Sequence, residues 1–131
     1  KWYSHKFNGA GVRYEIASCI KTGDIVWVNG PFPCGKWPDI KIFRRDLKNR
    51  LLPNEKIKAD RGYRGDEKVR TPDDWVTLSD RKAKDCAAAR HETINGRLQN
   101  FKCLSTKFRH ELSEHKHFFC FTVVVTQLMF E

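Results

Sequence analysis

The chain has 131 residues, 40% of them hydrophobic and 31% charged, with a formal net charge of +9. That length suits a single domain with a real core, and that composition excludes a disordered tail. So basic a domain fits a polyanionic partner, nucleic acid first among them; the alternative is a surface that is merely solubilising.

In chain order, "GVRYEIASCI" sets Val12, Tyr14, Ile16, Ser18 and Ile20 against Arg13, Glu15, Ala17 and Cys19, the period-two alternation of a strand. "KTGD" supplies a turn in which Gly23 can take a positive φ, and residues 25–28 return as the second arm of a hairpin. "NGPFPCG" leaves the strand, because Pro31 and Pro33 lack ladder donors. Asp39 is then expected to N-cap a helix through "PDIKIFRRDLKNRLL", where Ile40, Phe43, Leu47 and Leu51 fall at helical spacing and Pro53 and Asn54 end the run.

"KIKA" reads as a short strand with Asp60 at its carboxyl end, and residues 75–78 read as another. Across residues 84–101, Ala87, His91, Ile94, Leu98 and Phe101 repeat at steps of four and three, which draws one stripe on a helix, with Gly96 as its weak spot. In the closing "SEHKHFFCFTVVVTQLMFE", Val123, Val124 and Val125 favour a strand, while length and all-round apolarity allow a buried helix. The stretch is too short to span a bilayer and contains Thr122, Thr126 and Gln127, so it reads as core and no membrane partner is expected.

Cys19, Cys34, Cys86, Cys103 and Cys120 include no CxxC pair, which argues for free thiols in an intracellular, reducing compartment. His115 and His117, even with Cys103 and His110, match no standard zinc spacing and read as a solvated basic turn. Trp2, Trp27, Trp37 and Trp75 read as packing residues. The sum is one α/β domain with a mixed sheet, in which ligands gather beyond the carboxyl ends of strands, where Asp60 falls.

Glu92 is the second acid of interest. It follows His91, about 100° round the helix from the apolar stripe. Oxygen ligands from a strand end and from a helix packed on the sheet suit hard divalent cations, Mg²⁺ above all. Two ions about 4 Å apart would clamp both oxygens of a phosphodiester displacement. Lys56, Lys58, Arg61 and Arg64 crowd Asp60 and suit a phosphate track. Against this, most such acid pairs are solvated or salt-bridged.

"WYSHKFNGAGVRYEIA", "TGDIVWVNGPFPCGKWPDIKIF", "ADRGY", "RHETINGRLQNFK" and "FRHE…H…VVVTQL" together resemble the nuclease domain of Harbinger-type DDE transposases, the DDE superfamily endonucleases. The resemblance keeps the family's order of blocks over nearly the whole chain. It implies a ribonuclease-H-like fold, a mixed sheet with flanking helices, and an Asp-Asp-Glu triad that binds Mg²⁺ or Mn²⁺ and cuts or joins DNA. By this resemblance Asp60 matches the second acid and Glu92 the third, and the closing segment becomes the last helix. Asp39 matches a family Asp after the third strand and is expected to cap its helix.

The family's first Asp lies on a first strand ahead of "WYSHKFN", whereas this chain has no acid before Glu15. The expectation is therefore one DDE endonuclease-like domain, residues 1–131, incomplete at its N-terminus and inactive as this fragment. An upstream domain or a separate protein would help it bind DNA, and a eukaryotic version would work in the nucleus. The alternative is a transposase-derived DNA-binding module that no longer cuts. Arg61, Arg64 and Arg97 are expected to contact DNA, Arg97 because it lies a turn from Glu92.

Overall fold

The computed structural model describes residues 3–4, 9–74, 78–105 and 110–130. A short antiparallel ladder of β1 (Tyr3–Ser4) and β2 (Gly9–Ala10) precedes the main hairpin, β3 (Val12–Ser18) and β4 (Ile25–Pro33). Helix α1 (Asp39–Arg45) runs into a 3-10 turn, Leu47–Arg50. Strands β5 (Ile57–Lys58) and β6 (Val69–Arg70) pair in parallel, with a second 3-10 turn, Arg61–Tyr63, between them. Helices α2 (Leu78–Leu98), α3 (Lys102–Ser105) and α4 (Leu112–Phe130) complete a mixed α/β chain.

The alternation of residues 12–18 does form a strand, and Gly23 closes its turn at φ 81°. The return strand runs further than expected, through Pro33. Arg13 pairs with Phe32 and Glu15 with Asn29, so Gly30 and Pro31 together oppose Tyr14 alone. This bulge absorbs the proline, which has no donor to offer. Only glycine fits beside it, since a Cβ on Gly30 would lie 2.6 Å from Tyr14 Cδ1, at a φ of 145°.

The hairpin is covered on both faces. Tyr14, Ile16, Ile25 and Val28 pack on Ile94 and Leu98 of α2 and on Phe119 and Val123 of α4. Ala17 and Trp27 join a second core of Phe43, Leu47 and Val69. Gln127 ties α4 to the hairpin turn: its Oε1 accepts the Ile25 N–H at 2.8 Å, and its Nε2 donates to Asp24 Oδ1 at 2.9 Å. The closing segment is thus a helix, not a strand. Thr122 and Thr126, one turn apart, share its buried side, while Phe121, Val124 and Leu128 stay exposed on the other.

Several expectations are corrected. The described strands form three separate two-stranded ladders, not one mixed sheet, because the hairpin bonds within itself and β5 and β6 are only two residues each. Helix α1 is shorter than its apolar spacing suggests. It breaks at Asp46 (φ −127°, ψ −64°), whose carboxylate instead accepts from Asn29 Nδ2 at 2.8 Å. Of the strand expected at residues 75–78, Leu78 opens α2 and the other three positions lie outside the described residues. Helix α2 also starts earlier than residue 84 and ends at Leu98. All five cysteines are free, and among the described residues no helix is long and apolar enough to cross a membrane.

Candidate metal centre

The site grows from the turn after β5. Ala59 closes the parallel ladder by donating its N–H to the Arg70 carbonyl at 3.0 Å, and Asp60 follows at once. Asp60 N-caps the turn Arg61–Tyr63, its Oδ1 accepting the Gly62 N–H at 3.0 Å. Its structural task is therefore real. The turn folds Tyr63 back onto α1, edge-on to Phe43 with ring centroids 6.4 Å apart.

Asp39 does not cap α1. Pro38 holds the N-cap position and there is no side-chain cap; Asp39 lies inside the first turn, where its charge favours the helix dipole. Its Oδ1 lies 3.4 Å from Arg13 Nε. Its Oδ2 faces Gly62, where a Cβ would meet Asp39 Oδ2 at 2.7 Å and Asp60 Oδ1 at 3.1 Å. The two carboxylates thus converge over a residue that has no side chain.

A third acid lies deeper. Glu15, on the polar face of β3, is only 2% exposed. Its Oε1 accepts from Trp27 Nε1 at 2.9 Å, the Tyr63 hydroxyl also serves the carboxylate, and its Oε2 has no partner among the described residues. Burial first pushes the Glu15 carboxyl above its ordinary range; the Trp27 and Tyr63 donors oppose this, and the charges of Asp39 and Asp46 add to it. The Tyr63 phenol is driven upward by burial and then by the charges of Glu15, Asp39 and Asp60.

Helix α2 carries His91 and Glu92. His91 is half-buried; burial lowers its pKa, and the charge of Asp60 opposes that shift. Glu92, the next residue, is exposed. Among the described residues, no three His, Cys, Asp or Glu side chains gather tightly enough to form a ready metal cage. Arg61 and Arg64 are exposed on the turn beside Asp60. Arg97 is half-buried, and five residues from Glu92 it lies about 140° round the helix, on a different face.

Sequence reasoning missed two features. The first is the Asp39–Asp60 convergence, since "PD" before an apolar run reads as a cap. The second is a stripe on α1 and the loop before it. Lys41 Nζ lies 4.4 Å over the Trp37 ring, and the Arg45 guanidinium 5.2 Å from the same ring. The spacing of Trp37, Lys41 and Arg45, four residues each, was a signal for it. Of the histidines and cysteine weighed for zinc, His115 is buried against Tyr14 instead, its Nδ1 2.7 Å from the tyrosine hydroxyl.

Carboxylates near a strand end, with arginines on the adjoining turn, are side chains of the chemistry that cations and phosphates use. Residues 1–127 match the family described as DDE superfamily endonuclease, and the chain belongs to that family. No curated protein and no solved structure matches it. The residues fit the divalent metal that such a family implies in one respect: Asp39 and Asp60, both close to Gly62, offer the oxygen donors that a hard cation takes.

Proposed function

We propose that the chain is the nuclease domain of a Harbinger-type DDE transposase, ribonuclease-H-like in fold, working with Mg²⁺ or Mn²⁺ on DNA phosphodiesters. The observation that supports this best joins "ADRGY" to α2: Asp60 comes two residues after the end of β5 and caps the next turn, and its charge bears on His91, the residue before Glu92. Asp60 and Glu92 would be the metal-holding acids. Bound divalent ions would polarise the phosphate and activate the attacking oxygen. Arg61 and Arg64 would hold the backbone beside Asp60, Lys41 and Arg45 would extend that track along α1, and Arg97 would contact DNA further along α2. Such contacts read no sequence, so affinity should fall steeply with salt.

The test is nicking of supercoiled plasmid with Mg²⁺ or Mn²⁺, by the chain as it stands and with any coding sequence upstream of Lys1 restored. The expected result is nicking by the extended form, abolished by Asp60→Asn or Glu92→Gln with DNA binding kept. Nicking that survives both substitutions would overturn the assignment. A second reading, a DNA-binding module that does not cut, is favoured by the lack of a ready three-ligand cage among the described residues. It predicts DNA binding by both forms and nicking by neither.

A further inference from the structure

Six of the nine large hydrophobic side chains that stand exposed among the described residues lie on one helix, α4. Single exposed apolar residues are ordinary, whereas a gathered patch is not. The helix carries two stripes of one spacing. His115, Phe119, Thr122 and Thr126 step by four, three and four along its buried side. His117, Phe121, Val124 and Leu128 repeat those steps two residues later, about 200° round the helix, and all four are exposed. Phe121, Val124 and Leu128 are 65%, 58% and 62% exposed. Steps of four and three draw the seam along which two helices pack. The core of the chain occupies the inner seam, and the outer one lies open.

The area and the charge of this face say what fits it. Phe118 and Met129 flank the open seam. With Phe121, Val124 and Leu128 they leave on the order of 500 Å² of apolar surface in water, at about 150–250 Å² for a large side chain. Two such faces meeting would bury about 1,000 Å², which reaches the size of a specific interface. Residues 118–130 contain no charged side chain, in a chain whose net charge is +9. Copies of so basic a molecule repel each other, and an uncharged face is where they can approach.

We propose that α4 pairs with α4 of a second copy of this chain, antiparallel about a two-fold axis. A two-fold contact needs a self-complementary surface. In the antiparallel register Phe121 of one protomer faces Val124 of its partner, and His117 faces Leu128. Large side chains then meet smaller ones, and the helix dipoles oppose. A parallel pair would set Phe121 on Phe121 and Val124 on Val124. The proposal goes beyond the nuclease reading and does not rest on it.

The test is sedimentation velocity over a dilution series, with circular dichroism to verify folding. It is run on the chain as it stands and with any coding sequence upstream of Lys1 restored. Both forms should dimerise with a micromolar dissociation constant. The dimer should tighten as salt rises, because screening relieves repulsion between like-charged copies. Phe121→Lys and Val124→Glu should each weaken it about tenfold or more. Val26→Lys, at an equally exposed apolar position on β4 (64%), should leave it unchanged. Mixing the Phe121→Lys chain with the Val124→Glu chain should restore dimers, since the antiparallel register sets the two new charges face to face. A chain that stays monomeric at about 1 mM overturns the proposal. So does a dimer that Phe121→Lys and Val124→Glu leave intact, or one that Val26→Lys weakens equally. A dimer of the bare chain that is lost in the extended form gives the face to the upstream segment and also overturns it. Mixing without restoration overturns the antiparallel register.

Discussion

The two faces of the β3–β4 hairpin are buried to similar depth by different chemistry. On one, Tyr14 stacks on Phe119, ring centroids 3.7 Å apart and 9° from parallel, and Ile16, Ile25 and Val28 meet Ile94 and Leu98. On the other, Arg13 and Glu15 of the same strand reach Asp39, Trp27 and Tyr63. The first face gains by excluding water from apolar surface. The second confines charge, which adds little to stability but places carboxylates where a cation or a phosphate could use them. Stability and chemistry are thus divided across one strand, residue by alternate residue.

The largest expected effect lies on the apolar face. Phe119→Ala should destabilise the chain by about 3–5 kcal/mol, because the side chain is 5% exposed and packs on both hairpin and helix. Urea unfolding followed by circular dichroism measures it. A loss under about 1 kcal/mol would mean that α4 does not anchor the fold.

The polar face should respond in the opposite sense. Glu15→Gln keeps an acceptor for Trp27, removes a buried negative charge and gives the unpartnered position a donor. At neutral pH it should raise the urea midpoint, by about 1 kcal/mol of stability. A marked loss would show that the Glu15 charge is already compensated.

The two faces should also differ with pH. The Glu15 pKa is raised from 4.5, so the stability tied to it is complete below that value and is lost as pH rises through the folded pKa. The His115 pKa is lowered by burial from 6.5, so its contribution is complete above 6.5 and is lost as pH falls below that value. In unfolding midpoints taken across this range, Glu15→Gln should flatten the decline on the alkaline side and His115→Gln the decline on the acid side. Unchanged profiles would remove the titratable groups from the comparison.

The smallest effect belongs to the rim. Asp66, its side chain 2% exposed, is bonded by Lys48 at 2.8 Å and Arg44 at 3.1 Å. Burial opposes its charge, but Lys48, the Lys68 N–H and Arg44 outweigh that and hold the carboxyl at about 2. Arg44 is half exposed, so Arg44→Ala should lower stability by less than about 1 kcal/mol, since Lys48 remains. A larger loss in the same urea titration would make this pair part of the fold's support.

Sequence by itself determined the elements whose signal is local. Period-two alternation fixed β3, Gly23 fixed its turn, and the four-and-three spacing put Ile94 and Leu98 on the buried side of α2. The short strand before Asp60 was legible from "KIKA", although it ends at Lys58. Periodicity reports which face of an element is apolar, not what covers the other face. The acids met on the polar side of the hairpin therefore depended on tertiary structure alone. Asp39 read as a cap until Arg13, distant in sequence, claimed one of its oxygens and Gly62 opened space for the other. The β5–β6 pairing was hidden because two residues carry no period. In the closing segment, valine's strand propensity lost to the packing of Phe119, Thr122, Val123 and Thr126 along one buried side of a helix. Propensity spans about 1 kcal/mol in strands, whereas burying one such apolar side chain contributes about 1.5–3 kcal/mol, so burial decides.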